Sequence, residues 1–214
     1  MTRIAMVTHV VKRLRLLPQR SFPNYAYLPG RQPHPVRDPA GHSYHVEPLL
    51  VPTKASLDSE DFAWGQDLFN HGYYWEAHEA WEGLWQVAER GSAVRMLLKG
   101  LILISAAGVK IREGKHEAAQ RHAGRAATLF RQLGTMQHCG FARALGISPA
   151  ALADQAETAA ETPAVLKSTI PGHPEPVFDF ILGGSHARRR REGPRTKRGR
   201  SLSGEAGKRY SDDA

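Results

Sequence analysis

The chain is short of cysteine, of long apolar runs and, at its start, of acidic residues. Cys139 is the single cysteine, so no internal disulfide can form. A lone thiol of this kind fits a reducing compartment. The longest apolar stretch, around Met96–Val109, carries Lys99 and has about half the residues a membrane-spanning helix needs. The early run Ile4–Val11 is broken by Thr8 and His9 and followed at once by Lys12, Arg13 and Arg15. No small-residue cleavage site follows, which argues against a secretory signal. The absence of acids before Asp38 resembles a transit peptide, but the prolines from Pro18 onward argue against that reading. These absences predict a cytoplasmic protein with no membrane span. Paired strands are also lacking: Val177–Leu182 is the one candidate, without an obvious partner.

What charge there is sits at the ends. Residues 1–50 hold seven Lys or Arg against two Asp or Glu, and residues 185–214 hold ten against four. The net +8 therefore belongs to the ends, and the middle is slightly acidic. Hydrophobic residues form 41% of the chain, low enough to predict disordered ends. Residues 185–214 read as a disordered basic tail, with phosphate contacts through Arg188–Arg200 as its sharpest use. No aromatic interleaves the basic residues before Tyr210, so weak, sequence-blind nucleic-acid binding is the most that pattern supports.

Eight of the fourteen prolines fall between Pro18 and Pro52. No helix survives there, because each proline lacks a donor and restricts its predecessor. Phe22, Tyr25, Tyr27 and Tyr44 predict an arm lying on the domain surface instead of a solvated linker. From Asp58 the pattern turns helical, punctuated by glycines. Helices are predicted from an Asp58 cap to Asn70, from Tyr73 to Arg90, and from Ala93 to Glu113 after a Ser92 cap. Further helices run over 115–133, to Leu145, and from Ser148–Pro149 to Glu161. The expected fold is all-α: a small antiparallel bundle of about four to five helices. Residues 1–56 form a Pro-rich extended arm, 57–162 the helical domain, 163–184 an irregular segment and 185–214 the basic tail. Gly72 and Ala77 recur as Gly114 and Ala119, a faint repeat like that of helix-turn-helix arrays.

The stretch GYYWEAHEAWEGLW combines three of the four tryptophans with Glu76, His78, Glu79 and Glu82. Each helical residue advances by about 100°. With His78 at zero, Trp85, Tyr74, Trp81, Ala77 and Leu84 fall within about 120° on one side, which marks the buried face. Glu82 lies about 40° to the other side, Glu79 about 100°, and Glu76 about 160°. Glu76 is therefore expected to face water. His78 and Glu82 share the edge of the aromatic face. A buried carboxylate needs a cationic partner. Arg95 and Lys99, one turn apart on the next helix, are placed to supply it. The expected polar or ligand-binding network is His78, Glu82 and Arg95 or Lys99, framed by Tyr74, Trp81 and Trp85, with Glu79 at its margin.

A His and a Glu at i and i+4 can ligate a metal, and a carboxylate with a histidine can do acid–base work. HEAWE has the start of a zinc-protease HExxH but puts Glu82 where the second histidine would be. A lone His–Glu pair is more often an internal hydrogen-bonded pair, so no cofactor is assigned and a divalent metal stays open. His42 and His45 in GHSYH could add metal ligands to His78 and Glu82 if the arm folded back.

The run LFNHGYYWEAHEAWEGLW, then LLKGLILISAA, then REGKHEAAQRHAGRA resembles the family named domain of unknown function 309. Phe69, Gly72, Tyr74, Glu76, Ala77, His78, Glu79, Trp81, Glu82 and Trp85 match in place, as do Gly100, Leu101 and Ile102. The resemblance covers about residues 60–135 and implies a small all-helical bundle. It brings no reaction, substrate or cofactor. Three functions compete. A binding or interaction module would use exposed Tyr73 and Trp75. A metal-assisted or acid–base enzyme, hydrolase-like, would use His78, Glu79 and Glu82. A nucleic-acid adaptor would use the basic tail.

Overall fold

A computed structural model describes residues 13–46, 54–136, 140–166 and 168–183. The early apolar run, Cys139 and the basic tail lie outside the described residues. Six helices follow one another: α1 (Glu60–Asn70), α2 (Tyr74–Val87), α3 (Ala93–Arg112), α4 (His116–Thr135), α5 (Gly140–Leu145) and α6 (Pro149–Glu161). No strand occurs among the described residues. The all-α bundle read from the helical periodicity is the fold observed.

Local chemistry sets the helix ends. Ser92 Oγ accepts from the Arg95 amide at 3.1 Å to open α3, and Ser148 Oγ accepts from the Ala151 amide at 3.2 Å to open α6. Such caps contribute about 1 kcal/mol each. The cap of α1 is Ser59, not Asp58: its Oγ accepts from the Phe62 amide at 3.1 Å. Gly72 and Gly114 end α1 and α3 at φ of 86° and 74°. After each, the next amide reaches back five residues, Tyr73 to the Leu68 carbonyl and Lys115 to the Lys110 carbonyl, both at 2.9 Å. This C-terminal motif needs a left-handed residue, which glycine adopts at no steric cost. Ala77 and Ala119 then sit fully buried in the following helices. The faint sequence repeat is thus a repeated turn geometry.

The central element is α3, packed against α2, α4 and α6. Leu97, Leu98, Leu101 and Ile104 are buried along it. Two of its glycines allow neighbours to approach. A Cβ at Gly100 would lie 2.4 Å from the Phe130 ring, and one at Gly108 would lie 2.6 Å from the Tyr74 ring. Trp81, Tyr74, Phe62, Phe69 and Phe130 are fully buried around these contacts. Each contributes roughly 1.5–3 kcal/mol of burial.

Two irregular segments wrap the bundle, and buried polar side chains on the helices hold them. Asp67 on α1 accepts from the Leu16 and Leu17 amides at 2.7 and 2.8 Å and pairs with Arg15 at 3.3 Å. Asn70 brackets Leu182, donating to its carbonyl and accepting from its amide, both at 2.8 Å. The Val177 amide donates to the Tyr74 hydroxyl at 2.7 Å. Phe178 stacks on Phe69 with ring centres 5.2 Å apart. Val177–Leu182 is therefore a strap lying on α1 and α2, not a strand. Side chains satisfy its Val177 and Leu182 amides and its Phe178, Phe180 and Leu182 carbonyls in place of a pairing strand.

Candidate functional site

The helix α2 carries His78, Glu79 and Glu82. Residues at i and i+4 are neighbours on a helix surface. His78 Nε2 lies 3.7 Å from Glu82 Oε2, with side chains 29% and 40% exposed. One donor atom from each of the three residues lies within 4.8 Å of the others. The pair is not sealed under tryptophan; it opens to solvent at the edge of the α2–α3 seam.

Burial holds the His78 ring below the usual imidazole range. The Glu82 charge and the backbone hydrogen bond at Ile102 pull it back up, and Lys99 adds to the lowering. Its resting form near neutral pH is the neutral imidazole, which is the metal-binding and proton-accepting form. The Glu79 carboxyl is held above the usual carboxylate range, first by partial desolvation, then by the charges of Glu82 and Glu76. Glu79 as a residue is exposed, so its carboxyl is sheltered on one side only. Close carboxylates of like charge and a neutral imidazole thus lie side by side on one helix face.

The cations expected to pair with Glu82 make other contacts. Arg95 donates to the Trp85 and Ala88 carbonyls at 2.6 and 2.8 Å and lies over the Trp85 ring at 4.0 Å. It caps the C-terminal end of α2, whose last carbonyls have no partner within the helix. Lys99 sits 5.1 Å from the Trp85 ring centre. Among the described residues, neither forms an ion pair with Glu82. The expected network of His78, Glu82 and Arg95 or Lys99 is corrected to a His78–Glu82 pair flanked by Glu79. Trp85 is partly buried beneath the two cations, whereas Trp81 and Tyr74 are fully buried. Burial pushes the Tyr74 hydroxyl up to about 12, so it stays protonated as a structural anchor for the strap.

Glu76 overturns its expectation. It is 6% exposed, not solvated. Its Oε1 accepts from the Tyr27 amide at 2.8 Å and lies 3.2 Å from His42 Nε2. Its Oε2 is buried with no hydrogen-bond partner among the described residues. The helical wheel assumed one buried face, but the arm covers the opposite face at the start of α2. Tyr27 and His34 also pack edge-on against Trp75, with ring centres 5.1 and 5.5 Å away. Tyr73 is buried. The arm thus does fold back, but His42 meets Glu76 and not His78. His45 is exposed, at φ 55°, with its ring 4.1 Å from Tyr44. Neither histidine joins the His78 cluster. The one sequence signal for the Glu76 site was the aromatic content of the arm.

The aromatic and ionisable positions of α2, followed by the apolar α3 and its glycine turn, fall within the part of the chain that matches a known family model. Residues 62–122 match the family model described as Domain of unknown function (DUF309). The match bears out the resemblance read from the motif. The DUF309 segment spans α1, α2, α3 and the start of α4, so it holds the His78 cluster and the Glu76 carboxylate but not the arm or the strap. No curated protein and no solved structure matches the chain. No helix among the described residues is long and apolar enough to cross a membrane.

Proposed function

We propose that this helical domain binds a divalent first-row metal ion through His78, Glu79 and Glu82. The observation that carries the reading is the convergence of one imidazole and two carboxylates within 4.8 Å on an open helix face. Imidazole with carboxylates suits zinc, manganese or iron better than magnesium or calcium, which take oxygen donors. The neutral state of His78 and the like charges of neighbouring Glu79 and Glu82 favour the same occupant. Three protein donors leave further positions open to water, and a metal-bound water is acidified toward neutral pH. That is the basis for a hydrolase-like, metal-assisted activity.

The interaction-module reading relied on the helix-turn-helix repeat and on an exposed Tyr73 and Trp75; the arm packs on that aromatic face. The nucleic-acid reading rests on Arg188–Arg200, outside the described residues. Untagged protein titrated with zinc and with manganese, with calorimetric and mass-spectrometric metal counts, tests the metal reading. The expected result is one ion per chain, with affinity at least about tenfold weaker in His78→Ala and in Glu82→Gln while circular dichroism is unchanged. Substoichiometric metal, or equal binding by both variants, would refute it.

A further inference from the structure

A cavity of about 300 Å³ lies between the arm and the segment before the strap, at the C-terminal end of α3. Its wall combines Arg31, Gln32 and Arg112 with Glu175 and the apolar side chains of Leu28 and Ile170. Arg112 is buried, which is unusual for a guanidinium. It spends two of its five donors on carbonyls, Gly72 at 3.1 Å and His173 at 2.6 Å. The remaining donors have no acceptor among the described residues. The Arg31 guanidinium is near enough to Arg112 for the two charges to repel. It forms no hydrogen bond or ion pair among the described residues.

Gln32 adds a third unmatched donor. Its Oε1 accepts from the Leu28 amide at 2.8 Å, which fixes the amide orientation. The Nε2 that results is buried without a partner. Glu175 offsets part of the positive charge, but its Oε2 already accepts from the Ser168 amide at 3.1 Å. Two guanidinium groups and an amide thus share one wall, where the Gln32 amide donor is buried without a partner and the Arg112 fork is only partly used. Leaving the buried Gln32 Nε2 unsatisfied costs free energy that an acceptor ligand recovers. Guanidinium forks match carboxylate and phosphate geometry.

We infer that this cavity binds the anionic head of a small carboxylate- or phosphate-bearing molecule, with Leu28 and Ile170 against its apolar body. Arg31 and Arg112 hold the head, and the Gln32 amide orients it. The site is separate from the His78 cluster and does not depend on metal binding there. The volume sits at the small end of ligand pockets, so the ligand is a short acid and not a dinucleotide.

The experiment titrates the full chain calorimetrically with hexanoate, acetate and inorganic phosphate. Arg31 is exposed, so Arg31→Ala keeps the fold, whereas replacing buried Arg112 would undo the two carbonyl contacts. Circular dichroism of Arg31→Ala verifies that it remains folded. Saturable binding of at least one probe is expected, weakened about tenfold or more in Arg31→Ala, as loss of a charge-assisted bond implies. Hexanoate binding more tightly than acetate identifies a carboxylic acid with an apolar body. Phosphate binding without hexanoate binding identifies a phosphate ester. No saturable binding by any of the three, or unchanged affinity in Arg31→Ala, would overturn the assignment.

Discussion

Replacing Glu76 by alanine should loosen the arm from the bundle. The Glu76 carboxylate accepts from the Tyr27 amide at 2.8 Å in a buried setting. A hydrogen bond to a charged group contributes roughly 1.5–3 kcal/mol, and an orphaned buried amide costs roughly 1–3 kcal/mol. Alanine removes the acceptor and leaves the Tyr27 N–H buried. The higher helix propensity of alanine returns a few tenths of a kcal/mol. The net loss should be about 3 kcal/mol. Glu76→Gln keeps an oxygen for Tyr27 and should lose about 1 kcal/mol. In urea, with a slope of about 2 kcal/mol per molar, alanine should lower the unfolding midpoint by about 1.5 M, read by tryptophan fluorescence. If the arm lifts off before the bundle unfolds, the loss appears instead as faster hydrogen exchange at the Tyr27 amide. A midpoint loss worth less than about 1 kcal/mol, together with unchanged Tyr27 protection, would refute this account of the arm.

Two glycine substitutions should move stability in opposite directions. Gly108→Ala drives a Cβ to 2.6 Å from the Tyr74 ring and should cost at least about 1–3 kcal/mol. Gly83→Ala meets nothing within 4 Å in α2 and should stabilise by about 0.5–1 kcal/mol; thermal or urea unfolding checks both. Burial, first among the causes, holds both His78 and His122 below the usual imidazole range. The unfolded chain therefore takes up these protons first as pH falls. Their contribution to stability is complete above about pH 6.5 and declines as pH drops from there through the folded values. Urea midpoints should be lower at about pH 5.5 than at about pH 7.5, and His78→Gln with His122→Gln should flatten the difference. Glu79, held above the usual carboxylate range, acts in the opposite sense as pH falls and offsets part of the histidine effect.

The sequence by itself determined the helices, because their signals are local. Ser92 and Ser148 cap within three residues, Gly72 and Gly114 end helices through their own dihedral freedom, and the 3.6-residue period marks Trp81 and Tyr74 as core. The aromatic and acidic spacing of α2 was enough to show the resemblance that the family model matches over residues 62–122. It also put His78, Glu79 and Glu82 on one side of one helix, since neighbours at i and i+4 need no tertiary contact to meet. Tertiary structure decided everything that required a second segment. Arg95 could be assigned to Glu82 or to the α2 carbonyls only once the turn between the helices was built. Glu76 appeared solvated because a helical wheel has one inside, and it cannot know that Tyr27 and His42 arrive from nearly fifty and from 34 residues away to make a second. An irregular arm has no period from which its landing place can be read. It lands where the buried carboxylates of Asp67 and Glu76 accept from its amides, and that pairing exists only in the folded chain.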